Sequence, residues 1–286
     1  MRSTKGWLAE TGWRHLVGIG MLVFALFPLV FVVSASVNPR GTLTASATLF
    51  DGASLENYLK LFSTPTLPYP RWFANTMIIA GATAVLTVLL AASAAYAFSR
   101  FRFRGRRLGL LGLLLVQMFP QVLGAVAIFL LMARIKGVFP GVGLGTQWGL
   151  VMVYLGGAMG VNTFLIKGFF DSIPRELDDA AKVDGATHTR VFFTIILRLG
   201  APVLAVIGLL TFINTVNEFL VASVILQSPS EHTLAVGLYG LISERLSANW
   251  GVFAAGALIG AIPSVLLFRF LQRYIVSGLL RGSVKG

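Results

Sequence analysis

The fold class predicted by the sequence is all-α: a polytopic membrane protein with six transmembrane helices. Three observations predict it. Hydrophobic residues make up 56% of the 286-residue chain and charged residues only 12%, against about 25% charge in a typical soluble domain. The mean hydropathy is +0.81. The apolar residues gather in long runs, not in the short alternating segments of about ten residues that a membrane β-barrel would show. The chain has no cysteine, which excludes disulfides, thiolate catalysis and Cys-based metal sites. His15, His188 and His232 are scattered along it and do not suggest a His-metal site.

The spans are placed at 15–36, 72–98, 108–134, 148–170, 202–226 and 252–276. Each is long enough to cross about 30 Å of hydrocarbon. The first continues to Asn38 without a small-residue cleavage site, so it reads as an uncleaved span and not as a signal peptide. The third contains Pro120, and the fourth contains Gly156, Gly157 and Gly160. Both patterns suit irregular, closely packed helices in a bundle. The chain reads as a single transmembrane domain, residues 1–286, with a polar insert at 171–201 and a short tail at 277–286.

Orientation is predicted from Lys and Arg. Arg2, Lys5 and Arg14 precede the first span, and Arg100, Arg102, Arg104, Arg106 and Arg107 crowd the loop after the second. Arg273, Arg281 and Lys285 follow the start of the last. With six spans these groups share one side, which the positive-inside rule makes cytoplasmic, together with both termini and the insert. Loops 37–71, 135–147 and 227–251 then face outward. The net charge of +12 is thereby a topological bias directed at anionic lipid, and a nucleic-acid partner is not expected.

The insert carries the functional signal. Pro174 suits a first helical turn. Leu177, Ala180, Ala181 and Val183 share one face of a short helix. Asp178, Asp179 and Lys182 share the other, with Asp178 and Lys182 spaced for an i,i+4 pair. Gly185, after Asp184, ends this helix. A second helix carries Val191, Phe192, Ile195 and Ile196. Two readings stand: a helix pair lying on lipid, or a small-faced helix that docks in a groove of a cytoplasmic partner.

Asp179-Ala180-Ala181 followed by Asp184-Gly185-Ala186 resembles the EAA loop of importer permeases of the ATP-binding cassette class. More closely, the chain resembles the MalG type of subunit in maltose and maltodextrin importers. The resemblance covers almost the whole chain and includes Ala95-Tyr96-Ala97-Phe98, Gln117-Met118-Phe119-Pro120, Tyr154-Leu155-Gly156-Gly157, Thr233-Leu234-Ala235-Val236-Gly237 and the closing Val284-Lys285-Gly286. It implies a type I importer (MetI-like) permease fold in a bacterial or archaeal cell membrane. It implies three partners: a MalF-like permease, a MalK-like ATPase homodimer and an extracellular or periplasmic sugar-binding protein.

In such a complex Glu176, Asp179, Ala180, Ala181, Asp184, Gly185 and Ala186 would belong to the element that docks in the ATPase. Val284, Lys285 and Gly286 would form a tail at the ATPase interface, and the loop with Ser243, Asn249 and Trp250 would contact the binding protein. This chain is expected to be non-catalytic and to bind no cofactor, because it lacks the G-x-x-x-x-G-K-[ST] phosphate loop. ATP and Mg would be held by the ATPase subunits. The substrate implied is maltose, maltodextrin or a related α-glucoside such as trehalose, with other oligosaccharides or polyol phosphates as alternatives. The loop departs from the family pattern at Asp179, where Glu is usual, and at His188 and Arg198, where the maltose-type relative carries prolines.

Glu218 is the one acidic residue placed inside a predicted span, with Asn214 and Asn217 beside it. An intramembrane carboxylate is a functional candidate by default. It would serve the sugar pathway, a network at a subunit interface or, in a different class of transporter, a proton-coupled carrier.

Overall fold

The computed structural model describes residues 11–42, 44–118, 121–244 and 249–283. The regular elements among them are helical. In chain order they are α1 (Trp13–Val37), α2 (Glu56–Ser63), α3 (Tyr69–Arg100), α4 (Arg106–Gln117), α5 (Gln121–Val138), α6 (Gln147–Asp171), α7 (Glu176–Val183), α8 (His188–Leu199), α9 (Ala201–Asn217), α10 (Leu220–Ile225), α11 (Leu234–Glu244) and α12 (Trp250–Ser283).

Among the described residues four helices are long and apolar enough to cross a membrane: α1, α3, α6 and α12 as far as Tyr274. Helices α8 and α9 meet the same test together but are bent by 77°. The predicted spans 15–36, 72–98, 148–170 and 252–276 therefore fall on single helices. The predicted span 108–134 is shared by α4 and α5; Pro120 lies outside the described residues. The predicted span 202–226 is corrected: α9 stops at Asn217 and α10 starts at Leu220. The break has a local cause. The Glu218 carboxylate accepts from the N–H groups of Val221 (2.8 Å) and Ala222 (3.0 Å), and so begins a new helix.

The chain forms two compact units, Met1–Tyr69 with Leu238–Gly260, and Pro70–Gly237 with Ala261–Gly286. In the first, no residue of the most apolar stretch of α1 is buried among the described residues. Such a surface needs lipid or a partner protein. Only Ser34, Ala35 and Ser36 of α1 are buried. Ser34 accepts from the Phe50 N–H at 2.7 Å, and the Asn57 amide donates to Ser36 O (3.0 Å) and Asn38 O (2.7 Å). The Tyr69 hydroxyl donates to Gly256 O at 2.9 Å.

The second unit is built on close helix packing. Ala91, Ala92 and Ala95 of α3 meet Ile166 and Phe170 of α6, Val191, Phe192 and Ile196 of α8, and Ile207 of α9. The small side chains let these backbones approach, which is what associates helices where lipid is as apolar as the side chains. A second cluster packs Val221, Ala222 and Ile225 of α10 against Ile79, Met132, Leu150 and Val151. Helix α4 lies so close to α6 that a Cβ on Gly160 would fall 2.3 Å from Leu113 O. There the Gln117 amide donates to Gly157 O and accepts from the Val161 N–H. The predicted close packing of this span thus has a particular residue behind it.

Candidate functional site: the polar insert and its anchorage

Glu176, Asp178 and Asp179 occupy the first turn of α7, where negative charge complements the partial positive charge of a helix N-terminus. Pro174 precedes the helix instead of entering its first turn. The other end forms as the sequence predicts. Gly185 adopts φ +79°, the Gly185 N–H donates to Lys182 O (2.9 Å), and the Ala186 N–H donates to Ala181 O (2.9 Å). This is a left-handed glycine termination that satisfies the last carbonyls. Thr187 then caps α8 by accepting from the Arg190 N–H at 3.3 Å. Helix α8 widens into a π turn at Phe192–Ile196. The bend into α9 falls at Gly200, where a Cβ would lie 2.6 Å from Cε1 of Phe170. Pro202, lacking an N–H, suits the start of α9.

The two faces of α7 differ from the expectation. Asp178 does not share the solvated face: it is buried, at 4% exposure. Lys182 pairs with Asp179 at 3.3 Å, and the predicted pair with Asp178 is not made. The reason is Arg100, at the end of α3. Its Nε stands 2.6 Å from Asp178 Oδ2, with both side chains almost wholly buried. A buried ion pair is far less screened than an exposed i,i+4 pair, so the inward partner wins. Ala181 and Ala186 are half-buried beside the α3–α6–α8 cluster. Leu177, Ala180 and Val183 turn outward with Glu176, Asp179, Lys182, Asp184 and Gly185, and Val183 is 89% exposed. The outer face is therefore a mixed surface of small apolar and acidic groups.

Arg100 is the hub of the anchorage. Besides Asp178, its guanidinium donates to Phe170 O (3.0 Å) and Ile173 O (3.1 Å), the carbonyls that close α6 and lead into the insert. Next to it, the Ser99 hydroxyl donates to Asp171 Oδ1 at 2.6 Å, and Lys167 pairs with Asp171 Oδ2 at 2.5 Å. Arg175 donates back to Ser99 O at 3.0 Å. Tyr96 and Phe101 complete the seat. The Tyr96 hydroxyl donates to His188 O at 3.4 Å, and the Phe101 ring meets His188 edge-on with centroids 5.0 Å apart. The distribution of Lys and Arg assigns Arg100 a topological role and does not show this hub. The available signal was an aspartate, Asp178, next to the EAA-like triplet and opposite a short Arg-rich loop.

The other candidate residues do not join this site. Glu218 is half-buried at the α9–α10 break, where the Tyr154 hydroxyl donates to its Oε2 at 2.5 Å. Asn217 donates to Ile213 O within its own helix, and Asn214 is exposed, so the three form no common cluster. Ser243 donates to Gly240 O (3.1 Å) and Asn249 to Leu241 O (3.3 Å); Trp250 stacks on Phe253. Residues 245–248 between them, and Val284, Lys285 and Gly286, lie outside the described residues.

Residues 87–281 match the family described as binding-protein-dependent transport system inner membrane component. The chain is 40% identical over 267 residues to the galactooligosaccharides transport system permease protein GanQ of Bacillus subtilis, covering 93% of this chain and 92% of that protein. It is 38% identical over 281 residues to the maltose/maltodextrin transport system permease protein MalG of Salmonella typhimurium, covering 94% of each. In fold it is similar to a chain in the crystal structure of a bacterial transporter that imports the acidic polysaccharide alginate, with a TM-score of 0.77 at 23% identity, covering 96% of this chain and 99% of that one.

Proposed function

This chain belongs to the family of binding-protein-dependent transport system inner membrane components, and on that premise we propose how it works and what it carries. It is a non-catalytic, multi-pass permease subunit of a sugar importer of the ATP-binding cassette class. The carrying observation for its working part is the two-sided α7. The inner face is fixed by the Arg100–Asp178 pair, and the outer face, with Leu177, Ala180 and Val183 among acidic groups, is exposed.

We assign that outer face, with Glu176, Asp179, Asp184 and Gly185, to docking in a cleft of a MalK-like ATPase. ATP and Mg would be bound by the ATPase alone. Closure of the ATPase dimer would move α7 and change access between the two sides of the membrane, a coupling between distinct sites. The cytoplasmic placement of the insert and both termini rests on the distribution of Lys and Arg. A MalF-like permease would complete the pathway. The Ser243–Trp250 loop would meet a sugar-binding protein, and the Val284–Gly286 tail the ATPase interface.

For the cargo we propose a maltodextrin-type α-glucan, supported by the near-full-length likeness to MalG. A galactooligosaccharide is the second reading, favoured by the likeness to GanQ. Reconstitution with a partner permease, an ATPase and a cognate binding protein tests both. Maltotriose-loaded binding protein should stimulate ATP hydrolysis and sugar uptake, and uptake should persist in the presence of an uncoupler while ATP is plentiful. Stimulation by a galactooligosaccharide alone would transfer the cargo to the second reading. Saturable flux by this chain alone, or uptake abolished by the uncoupler, would reject the importer assignment.

A further inference from the structure

We propose that Arg100 is a positioning residue for coupling: it fastens the docking helix to the ends of two membrane spans, so that a displacement of α7 is passed to α3 and α6 and not absorbed by the intervening loop. The inference rests on the importer reading above and adds to it the residue that carries the motion inward. The chain between α6 and α7 is Ser172–Arg175, four residues that include Pro174. A short covalent connection alone leaves a helix free to swivel about its joining bonds. The Arg100 guanidinium removes that freedom by binding three separate points at once: Asp178 in α7, Phe170 O in the last turn of α6, and Ile173 O in the connection.

The fork of a guanidinium suits this task because it is planar and presents several donors in fixed directions, which a lysine ammonium does not. The pair is also reinforced from behind. Arg175 returns from the connection to Ser99 O, and Ser99 holds Asp171 at the end of α6. Two arginines thus cross between α3 and the insert in opposite directions. Both Arg100 and Asp178 are almost completely buried; among the described residues neither Arg100 Nε nor Asp178 Oδ1 has a hydrogen-bond partner, so the two side chains are held by charge and not by a directed hydrogen bond. An uncompensated charge in that position is costly, so the pair holds while the helix is under load. Hydrophobic contact alone, through Ala181 and Ala186, would let α7 slide.

The test uses the whole complex: this chain with its partner permease, ATPase and binding protein in proteoliposomes. The readout is the ratio of sugar transported to ATP hydrolysed. A residue that only stabilises the fold lowers both quantities together and leaves the ratio unchanged. Arg100→Gln should still co-purify with the ATPase and hydrolyse ATP, but the ratio should fall about tenfold, the range of an ordinary coupling free energy. Arg100→Lys, which keeps the charge and loses the fork, should fall between wild type and Arg100→Gln. Asp178→Asn should behave like Arg100→Gln. An unchanged ratio in Arg100→Gln and Asp178→Asn would overturn the proposal. So would failure of all three variants to assemble, because the pair would then serve folding. A wild-type complex whose ATPase ignores loaded binding protein would instead reject the importer reading, before any variant is compared.

Discussion

Asp178 and Glu218 are both carboxylates drawn away from solvent, and the molecule satisfies them in opposite ways. Asp178 lies in the polar insert and pairs with a cation from a helix distant in sequence. Glu218 lies in an apolar stretch and is satisfied by neutral donors: two backbone N–H groups just ahead of it and the Tyr154 hydroxyl. The first joins separate elements. The second repairs a local break in one. A charge in a membrane segment attracts a functional reading by default, yet the position that ties separate elements together is the one in the insert, where charge is ordinary.

The comparison can be broken experimentally. Glu218→Ala would leave two backbone N–H groups and a tyrosine hydroxyl without an acceptor, each an expensive loss away from water. We expect the largest loss of stability here, about 1–3 kcal/mol per orphaned group before relaxation, seen as a lower unfolding temperature in detergent. Glu218→Gln, which keeps an acceptor oxygen, should recover most of that loss and retain uptake. Retained stability with lost uptake in Glu218→Gln would move this carboxylate into the transport pathway and end the contrast.

Gly185→Val tests the insert with an intermediate effect. A β-branched residue at φ +79° costs about 1–2 kcal/mol of local backbone energy. It should redirect the end of α7 while leaving the spans in place. Transport should fall while the affinity of the binding protein for sugar is unchanged; full transport would remove α7 from the docking role.

Asp179→Ala should have the smallest effect on the isolated chain. Its pair with Lys182 is exposed, and such pairs contribute at most about 1 kcal/mol. Unfolding temperature should barely move, whereas ATPase stimulation in the complex should drop several-fold. A variant that matches wild type in both would show that the outer face of α7 is not read by a partner at this position.

Much of this was legible in the sequence because the information is local. Uninterrupted apolar runs marked α1, α3, α6 and α12, and Asp184-Gly185 marked the end of α7 by the conformational freedom of glycine. The misses share the opposite cause. The spacing of Asp178 and Lys182 suggested a local pair, but the stronger partner was Arg100, which only the fold brings near. The break at Glu218 was hidden because Phe219, Leu220 and Val221 continue the apolar run. A hydropathy reading sees composition there, whereas the break is made by a carboxylate intercepting backbone N–H groups. The second helix of the insert was expected apart from the following span. It is separated from it only by the bend at Gly200, a residue packed too closely against Phe170 to carry a side chain.

That bend decides which kind of motion the bundle can receive. With α8 and α9 set 77° apart, a shift of α8 along its own axis is almost entirely transverse to α9. If the two move as one rigid elbow, a push directed along α8 does not drive α9 along its own axis like a piston. It shears α9 sideways past its neighbours. The position of α9 along its own axis would then stay nearly constant under such a push.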